Sequence, residues 1–280
     1  MKLCSYEVKG KASYGAAGAD GGIVDLGSRI GARYPTLLSI VQEDALAQAR
    51  AEAGKHAPDY REAEVRFLPV FQEGVAVHCI GLNYAAHTAE AGMQQPDFPR
   101  TFVKVQASLV GHNEALEMPT LSTHFDFEGE LAVVIGKTAR NVKTADALNH
   151  VFGYACFNDG SVRDYQIERT VDQGKNFFRS SSMGPYLVTI DEVGPLGKLT
   201  VTTRLSGEQM QHSSFDKMIF SVPVLIEYLS AITELRPGDV IATGTPEGVG
   251  FKRKPPRFMR PGDTLEIVID RVGTLRNPIV

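Results

Sequence analysis

Two glutamates stand two residues apart where a polar segment passes into an apolar, β-branched run. The segment reads Phe127-Glu128-Gly129-Glu130, and Leu131-Ala132-Val133-Val134-Ile135 follows it. Side chains of a strand alternate between its two faces, so Glu128 and Glu130 are predicted to project from the same face. Two carboxylates held that close disfavour each other's ionisation, and a cation between them removes the penalty. The pair therefore predicts half of a metal site.

A third carboxylate, Asp159, follows the apolar run at 151–157, where a strand would pass into a loop. A turn or capping aspartate is the alternative interpretation. Beside Glu128 and Glu130, Asp159 would complete a set of three oxygen ligands with no Cys or His pair nearby. Such a set favours Mg²⁺ or Mn²⁺, with Ca²⁺ as a substitute, over Zn²⁺.

Three other side chains could act on a substrate held at this site. His87 and Glu90 are three residues apart on a predicted helix and can touch, so Glu90 could orient the imidazole as a general base for water. Lys175, between a glycine and two phenylalanines, could stabilise a developing oxyanion. The alternatives are a surface contact for the His–Glu pair and an ordinary surface lysine.

Three further segments suggest binding rather than catalysis. Arg163 and Gln166 would be neighbours on a helix, and the arginine could bind a substrate carboxylate bidentately or form a surface salt bridge. The glycine-rich segment 243–250 lacks both phosphate-binding fingerprints, so it is interpreted as a substrate-embracing loop carrying Thr245, or as a structural turn. The basic run 252–257 is expected to be a solvated loop, with anion binding as the alternative.

Short apolar runs between turn signals predict the elements that would position these residues. The predicted strands are 75–80, 131–135, 151–157, 186–190, 199–205, 240–242 and 264–269. The predicted helices are 44–54, 85–92, 144–150 and 221–229, the first of them capped by Asp44. Because helices do not alternate regularly with strands, we expect an α+β, mainly β fold with largely antiparallel sheet rather than a doubly wound one.

A change of character near residue 70 predicts two domains. Residues 1–70 contain a stretch rich in Gly, Ala and Ser at 10–22, followed by the helix predicted at 44–54. Residues 71–280 contain every candidate site residue. We therefore expect a small N-terminal domain and a larger catalytic one.

Composition excludes several classes of protein. The chain has 280 residues, 43% hydrophobic, and its 29 basic and 33 acidic side chains give a net charge of −4, which predicts no affinity for nucleic acid or for a membrane surface. No apolar run approaches the roughly 18 residues that span a bilayer. The first residues lack the apolar core of a signal peptide, and the three cysteines form no C-x-x-C pair. A cytoplasmic protein with free thiols is expected.

The motifs, in this order, resemble those of the fumarylacetoacetate hydrolase family. The resemblance runs from about Cys79 to Asn277. Its motifs are Gly81-Leu82-Asn83-Tyr84, Phe127-Glu128-Gly129-Glu130-Leu131, Gly174-Lys175, Met183-Gly184-Pro185, Thr243-Gly244-Thr245-Pro246 with Gly248-Val249-Gly250, and Arg276-Asn277. The sequence departs from the family after Asp159, where Gly160-Ser161-Val162 precedes Arg163, and after Lys175, and both departures could reshape the substrate pocket.

The resemblance implies a fold, an assembly and roles for residues. The fold would be a β-sandwich roll, usually as a homodimer, with Mg²⁺ or Mn²⁺ held by Glu128, Glu130 and Asp159. His87 and Glu90 would form a water-activating dyad on a lid that orders when substrate binds. The substrate-facing side chains would be Lys175, Arg163, Gln166 and Thr245.

The leading hypothesis for the activity is metal-dependent hydrolysis of a C–C bond in a small β-diketo acid of the acylpyruvate or fumarylpyruvate type, as in the catabolism of aromatic compounds. The alternative keeps the metal and the enolate but makes the chain a decarboxylase, a tautomerase or isomerase, or a hydratase of a related 2-oxo acid such as oxaloacetate or a hydroxymuconate-like acid. A metal-binding scaffold without catalysis is the third class.

Overall fold

Strands dominate the computed structural model, which describes residues 1–280. The strands are β1 (Lys2–Val8), β2 (Lys11–Ala17), β3 (Gly22–Asp25), β4 (Tyr60–Arg61), β5 (Arg66–Phe67), β6 (Val77–Gly81), β7 (Arg100–Lys104), β8 (Leu109–Val110), β9 (Phe125–Asp126), β10 (Gly129–Ile135), β11 (Val151–Asn158), β12 (Ser161–Val162), β13 (Ser181–Thr189), β14 (Thr200–Leu205), β15 (Glu208–Ser214), β16 (Val240–Ala242), β17 (Thr264–Ile269) and β18 (Gly273–Pro278). The helices are α1 (Leu26–Ile30), α2 (Leu37–Gln42), α3 (Leu46–Ala53), α4 (Ala85–Glu90), α5 (Arg163–Glu168), α6 (Val171–Lys175), α7 (Ile190–Val193) and α8 (Val222–Ile232). The predicted α+β, mainly β fold is confirmed.

One large sheet forms the centre of the molecule. Its strands follow the order β4-β3-β2-β1-β13-β11-β10-β16-β6-β7, and most neighbouring pairs are antiparallel. A side-chain contact shows that the sheet curls back on itself: Lys104, at the end of the edge strand β7, donates a hydrogen bond of 2.8 Å to Ser181 Oγ on β13, which lies in the middle of the strand order.

Strand β10 shows why the centre of this sheet is apolar on both faces. Every residue from Gly129 to Ile135 is buried, and side chains on the two faces enter different hydrophobic clusters. Leu131 and Val133 belong to the larger cluster of 38 residues, while Ala132 and Val134 belong to a second cluster of 24. A continuous apolar run, rather than an alternating one, is what a strand covered on both faces requires.

A second sheet has the order β15-β14-β17-β18. Buried and partly exposed residues alternate along β14 and β17, as in strands with one face towards the core. A short pair, β9 with β12, lies apart from both sheets and sets Asp126 opposite Ser161. This pair brings the segment before Glu128 next to the segment before Arg163.

The first 70 residues are built into the central sheet. β1 pairs with β13 through Leu3 opposite Leu187, and β2, β3 and β4 extend the sheet outward. Leu3 also belongs to the same hydrophobic cluster as Ala132 and Val134 of β10. The division at residue 70 stays a prediction, and the N-terminal segment shares both sheet and core with the rest.

One predicted helix was wrong, and two other predicted elements are present but begin at a different residue. The segment 144–150 contains only a short 3₁₀ helix, Ala147–His150, since no apolar stripe of several turns is present to stabilise a longer one. The helix that follows Asp44 begins after Ala45, because Asp44 adopts a left-handed φ of 51°. The strand predicted at 186–190 starts earlier, at Ser181, and ends at Thr189.

The structure bears on two expectations from composition, those for the cysteines and for membrane-spanning segments. All three cysteines are buried and free. None of the helices is both long enough and apolar enough to span a bilayer.

Candidate metal centre and active site

Several strand ends meet at one edge of the central sheet. β10 runs antiparallel to both β11 and β16, and β16 runs parallel to β6. The C-terminal ends of β6, β11 and β16 therefore lie at the edge where β10 begins. That edge receives Glu128 and Glu130 from the start of β10 and Asp159 from the residue after β11.

Glu128, Glu130 and Asp159 come together there, and we call them the carboxylate cluster. All three side chains are buried, and their carboxylate oxygens lie within 4.8 Å of one another. The backbone fixes this spacing, since Gly129 pairs with Asn158 and the Asp159 N–H donates to the Glu128 carbonyl oxygen at 2.9 Å. The sequence prediction that these three carboxylates converge is confirmed.

Two buried lysines balance part of this negative charge. Lys175 Nζ, at the end of α6, donates hydrogen bonds of 2.7 Å to Glu128 Oε2 and to Asp159 Oδ2. Lys104 Nζ lies 2.7 Å from Asp159 Oδ1, an ion pair whose angle falls short of that of a hydrogen bond. Sequence reasoning missed Lys104, although a single lysine within the apolar stretch Phe102-Val103-Lys104-Val105 is the signal that could have found it.

Arg163 is buried and engaged on two sides. Its Nε donates to Asp126 Oδ2 at 2.8 Å, and its Nη1 lies 2.7 Å from Glu128 Oε1 and 2.8 Å from Gln166 Oε1. The predicted contact between Arg163 and Gln166 is present. Only Nη2 has no partner, so a bidentate grip on a substrate carboxylate would require Nη1 to leave its present partners.

Asp126 is a second residue that sequence reasoning missed. Its side chain is fully buried and accepts N–H donors from Phe127 at 2.9 Å, Gly250 at 2.9 Å and Phe251 at 3.1 Å, besides Arg163. A buried carboxylate with this many donors is fully compensated. Asp126 thereby joins the strand before Glu128 to the chain segment that follows the glycine-rich loop (residues 243–250).

The charges around the cluster do not balance. Four buried carboxylates, Asp126 and the three of the cluster, face three buried cations, Lys104, Arg163 and Lys175. Burial raises the pKa of the Glu128 carboxyl, but Lys175 and Arg163 outweigh it and lower that pKa below its ordinary value. Burial and the charges of Asp159 and Glu128 raise the pKa of Glu130 well above its ordinary value. Glu130 is thus the carboxylate left without a cation.

Lys175 keeps its proton in this setting. Burial alone would lower the pKa of its ammonium, but the charges of Asp159 and Glu128 raise it above the ordinary value. A permanently charged ammonium can stabilise a developing anion and cannot act as a base.

Helix α4, which follows β6, carries the predicted dyad. His87 Nδ1 lies 3.4 Å from Glu90 Oε2, and His87 is only 7% exposed, so this is not a surface contact. Both oxygens of Glu90 accept the N–H of Gly248 at 3.1 Å. The structure therefore brings the His–Glu pair together and ties it to the glycine-rich loop.

The glycine-rich loop contacts the start of β10 through a backbone N–H and a side-chain hydroxyl. Its Gly244 N–H donates to Glu130 Oε2 at 2.9 Å, from a left-handed φ of 95° that few other residues adopt. The hydroxyl of Thr245 donates to the Gly129 carbonyl oxygen at 3.1 Å and accepts from Gln211 Nε2 at 2.8 Å. Thr245 is thus used within the protein, and its predicted contact with a substrate stays a prediction.

Comparison with known proteins identifies the family. The sequence profile described as fumarylacetoacetate (FAA) hydrolase C-terminal matches residues 76–280. The chain belongs to the fumarylacetoacetate hydrolase family. A curated relative, the mitochondrial oxaloacetate tautomerase FAHD2A of Bos taurus, is 36% identical over 269 residues, which cover 94% of this chain and 86% of that protein.

Solved structures of the fumarylacetoacetate hydrolase family share the whole fold. Fumarylacetoacetate hydrolase from the psychrophile Exiguobacterium antarcticum is 33% identical, with a TM-score of 0.86 over 100% of this chain and 99% of that one. Maleylpyruvate hydrolase from Sphingobium sp. SYK-6, solved in complex with manganese(II) ion and pyruvate, is 26% identical, with a TM-score of 0.83 over the same shares of the two chains. The expected family fold, including the N-terminal segment, is therefore confirmed.

The carboxylate cluster of this family member suits a divalent cation. Its ligand atoms are all carboxylate oxygens, which hard cations such as Mg²⁺ and Mn²⁺ prefer. Glu130, the carboxylate without a cationic partner, would gain one. The donor set fits a hard divalent metal in general and does not distinguish Mg²⁺ from Mn²⁺.

Proposed function

We propose that this chain is a divalent-metal-dependent hydrolase that cleaves a C–C bond in acylpyruvate- or fumarylpyruvate-type β-diketo acids. The observation that carries the proposal is the pair of His87 and Glu90 on α4: a buried imidazole lies 3.4 Å from a half-buried carboxylate. Glu90 is bonded to Gly248 of the same loop whose Gly244 is bonded to Glu130 of the carboxylate cluster. A general base beside a metal site is what activation of water requires. Two solved relatives that bear the name hydrolase support this choice.

The carboxylate cluster would hold Mg²⁺ or Mn²⁺. When bound, such an ion supplies a Lewis acid that polarises the 2-oxo oxygen of the substrate and offsets the charge of the pyruvate enolate. Arg163 Nη2 and Gln166 remain proposed substrate-facing groups, and Thr245 is proposed to contribute through the shape of its loop.

His87 would act as the base. In the tautomer that this role requires, the Nδ1–H of His87 would donate a hydrogen bond to the carboxylate of Glu90, and Nε2 of the neutral imidazole would be free to take a proton from water. The resulting hydroxide would add to the carbonyl carbon farther from the carboxylate, and the ammonium of Lys175 would stabilise the oxyanion. The C–C bond then breaks, its electrons pass to the enolate of pyruvate, and a proton taken up at carbon completes one carboxylic acid and pyruvate.

A product assay tests this proposal. Acylpyruvates and fumarylpyruvate would be incubated with the Mg²⁺- or Mn²⁺-loaded enzyme while the β-diketo absorbance is followed and the products are identified. We expect stoichiometric release of pyruvate and a second acid, and loss of activity with EDTA or in His87→Asn. Full activity after removal of the metal, or release of a single product, would contradict the proposal.

Tautomerisation of oxaloacetate is the second candidate. The 36% identity to the bovine protein named oxaloacetate tautomerase, over 94% of this chain, favours it. His87 would then carry a proton between carbon 3 and the enol oxygen, with no water added. In the same assay, enol–keto conversion of oxaloacetate without release of CO₂ or a second acid identifies this activity, CO₂ identifies a decarboxylase, and an isomer or a hydrated product identifies the remaining alternatives.

Assembly and location belong to the same proposal. We propose a homodimer located in the cytoplasm, with no nucleic-acid or membrane partner. Light scattering coupled to size-exclusion chromatography would test the dimer, and a mass equal to that of a single chain would contradict it.

A further inference from the structure

The basic loop (residues 252–257) is only partly solvated. Lys254, Pro255 and Pro256 are exposed, as the sequence suggested, but Lys252 is half-buried. Lys252 Nζ donates to the backbone carbonyl oxygen of Ala91 at 3.2 Å. Because Ala91 is the residue at which α4 ends, the basic loop contacts the helix that carries His87 and Glu90.

The residue before Lys252 anchors this contact to the active site. The ring of Phe251 has two cations close to it, with Lys252 Nζ at 4.9 Å and Arg163 Cζ at 4.4 Å from its centroid. The backbone N–H groups of Phe251 and Gly250 both donate to Asp126. Since Asp126 and Arg163 are buried and bonded to each other, the start of the basic loop has little freedom to move.

Helix α4 depends on such contacts for its position. It has six residues, far fewer than the roughly 12 that an isolated helix needs to be stable in water. At its C-terminal end it is held by the bonds of Glu90 to the Gly248 N–H and by the bond of Lys252 to Ala91. Both contacts come from one segment, 248–252, which fixes the end of α4 that follows His87. The chain before the helix is fixed separately by the bonds of Asn83 to Phe220 and Thr243.

We propose that Lys252 is a positioning residue that clamps the C-terminal end of α4. Its ammonium, placed by the anchored ring of Phe251, holds Ala91 so that Glu90 stays within reach of Gly248 and His87 stays directed at the cluster. The consequence for turnover rests on the proposed function of the dyad, whereas the clamp itself is independent of that function. A general base displaced by about 1 Å loses much of its effectiveness.

The experiment compares three variants of the full-length, Mn²⁺-loaded enzyme. Lys252→Met removes the donor and the charge, Lys252→Arg keeps both, and Lys254→Met is the control for charge because Lys254 is exposed in the same loop. Hydrogen exchange of the α4 amides reports how readily the helix opens when its C-terminal contact is lost, without any need for turnover. Steady-state kinetics on the substrate found in the product assay report whether His87 and Glu90 still support turnover.

We expect Lys252→Met to raise exchange in α4 about tenfold. We expect it also to lower kcat about tenfold, with KM within about twofold of the parent value. Lys252→Arg should keep both the exchange rate in α4 and kcat close to the parent values. Lys254→Met should match the parent protein in both measurements.

Parental exchange and kcat in Lys252→Met would overturn the proposal. So would an increase in exchange spread over the whole chain together with a lower melting temperature, since that pattern indicates general destabilisation rather than positioning. If the parent enzyme turns over no β-diketo acid, the hydrolase proposal fails, and exchange in α4 still decides whether Lys252 is a clamp.

Discussion

Ion pairs of nearly the same length differ in their exposure to solvent in two regions of this molecule. Around the N-terminal helices, Arg50 Nη2 lies 2.6 Å from Asp191, and the two side chains are 40% and 54% exposed. At the carboxylate cluster, Lys104 Nζ lies 2.7 Å from Asp159, and the two side chains are 0% and 1% exposed. Water and salt screen the first pair, whereas the second has exchanged its hydration for its partners.

The difference in burial indicates which charged side chains are present for more than their contribution to stability. An exposed pair contributes little, and its loss is replaced by water. A buried set costs desolvation free energy that apolar residues of the same size would not, so burying seven charged side chains around the cluster is weak evidence for stability. The proposed function accounts for that set, because a divalent cation and an anionic substrate would need opposing charges held in place away from bulk solvent.

Glu130→Gln is expected to have the largest effect on activity. Glutamine keeps the acceptor for the Gly244 N–H but removes the charge that has no cation, so kcat/KM should fall by about a thousandfold or more as metal binding is lost. In the metal-free protein the melting temperature should stay equal or rise, since glutamine is neutral and avoids the cost of burying an ionisable carboxyl beside Asp159 and Glu128. Mn²⁺ titration by calorimetry and metal-free melting curves measure both, and tight Mn²⁺ binding by the variant would refute the assignment of Glu130 as a ligand.

Lys104→Met is expected to have the largest effect on stability. It leaves Asp159 buried with one cation fewer and removes the link from β7 to Ser181 of β13, so the free energy of unfolding should fall by about 3–5 kcal/mol. Urea denaturation of the metal-free protein measures the loss. A change below about 1 kcal/mol would mean that Lys104 contributes no more than a surface lysine does.

His112 is a half-buried group that is held neutral rather than paired with an opposite charge. Burial, opposed by the charge of Glu62, lowers its pKa from 6.5 to about 4, while its Nδ1 accepts the Arg276 N–H at 3.1 Å. Because the unfolded chain binds the proton more readily, the stability due to this group is complete above pH 6.5 and is lost as the pH falls towards 4. His112→Asn, which keeps an acceptor, should therefore lose about 2 kcal/mol less than the parent between pH 7 and 4.5. Parallel stability–pH curves for the two proteins would contradict a lowered pKa.

Arg50→Met is expected to have the smallest effect. This substitution removes an exposed pair with Asp191 and should change the free energy of unfolding by less than about 1 kcal/mol, with a weak dependence on salt. Urea denaturation at low and high ionic strength measures it alongside Lys104→Met. A loss as large as that of Lys104→Met would remove the distinction between the two regions.

The sequence was most informative where neighbours along the chain decide the geometry. The period of two in a strand places Glu128 and Glu130 together, and helical spacing places His87 beside Glu90 and Arg163 beside Gln166. It was misleading at 144–150, where the chain forms only a short 3₁₀ helix, Ala147–His150, because no apolar stripe of several turns is present.

Only the tertiary structure decided which distant groups surround those local pairs. Lys104 reaches Asp159 because the sheet curls until β7 meets β13, and Asp126 reaches Arg163 because β9 pairs with β12. Such contacts depend on the order and register of strands far apart in the sequence, which local periodicity does not contain. The sequence therefore determined the carboxylates of the cluster, and the folding of the sheet determined the cations that balance them, because a charge acts through space and not along the chain.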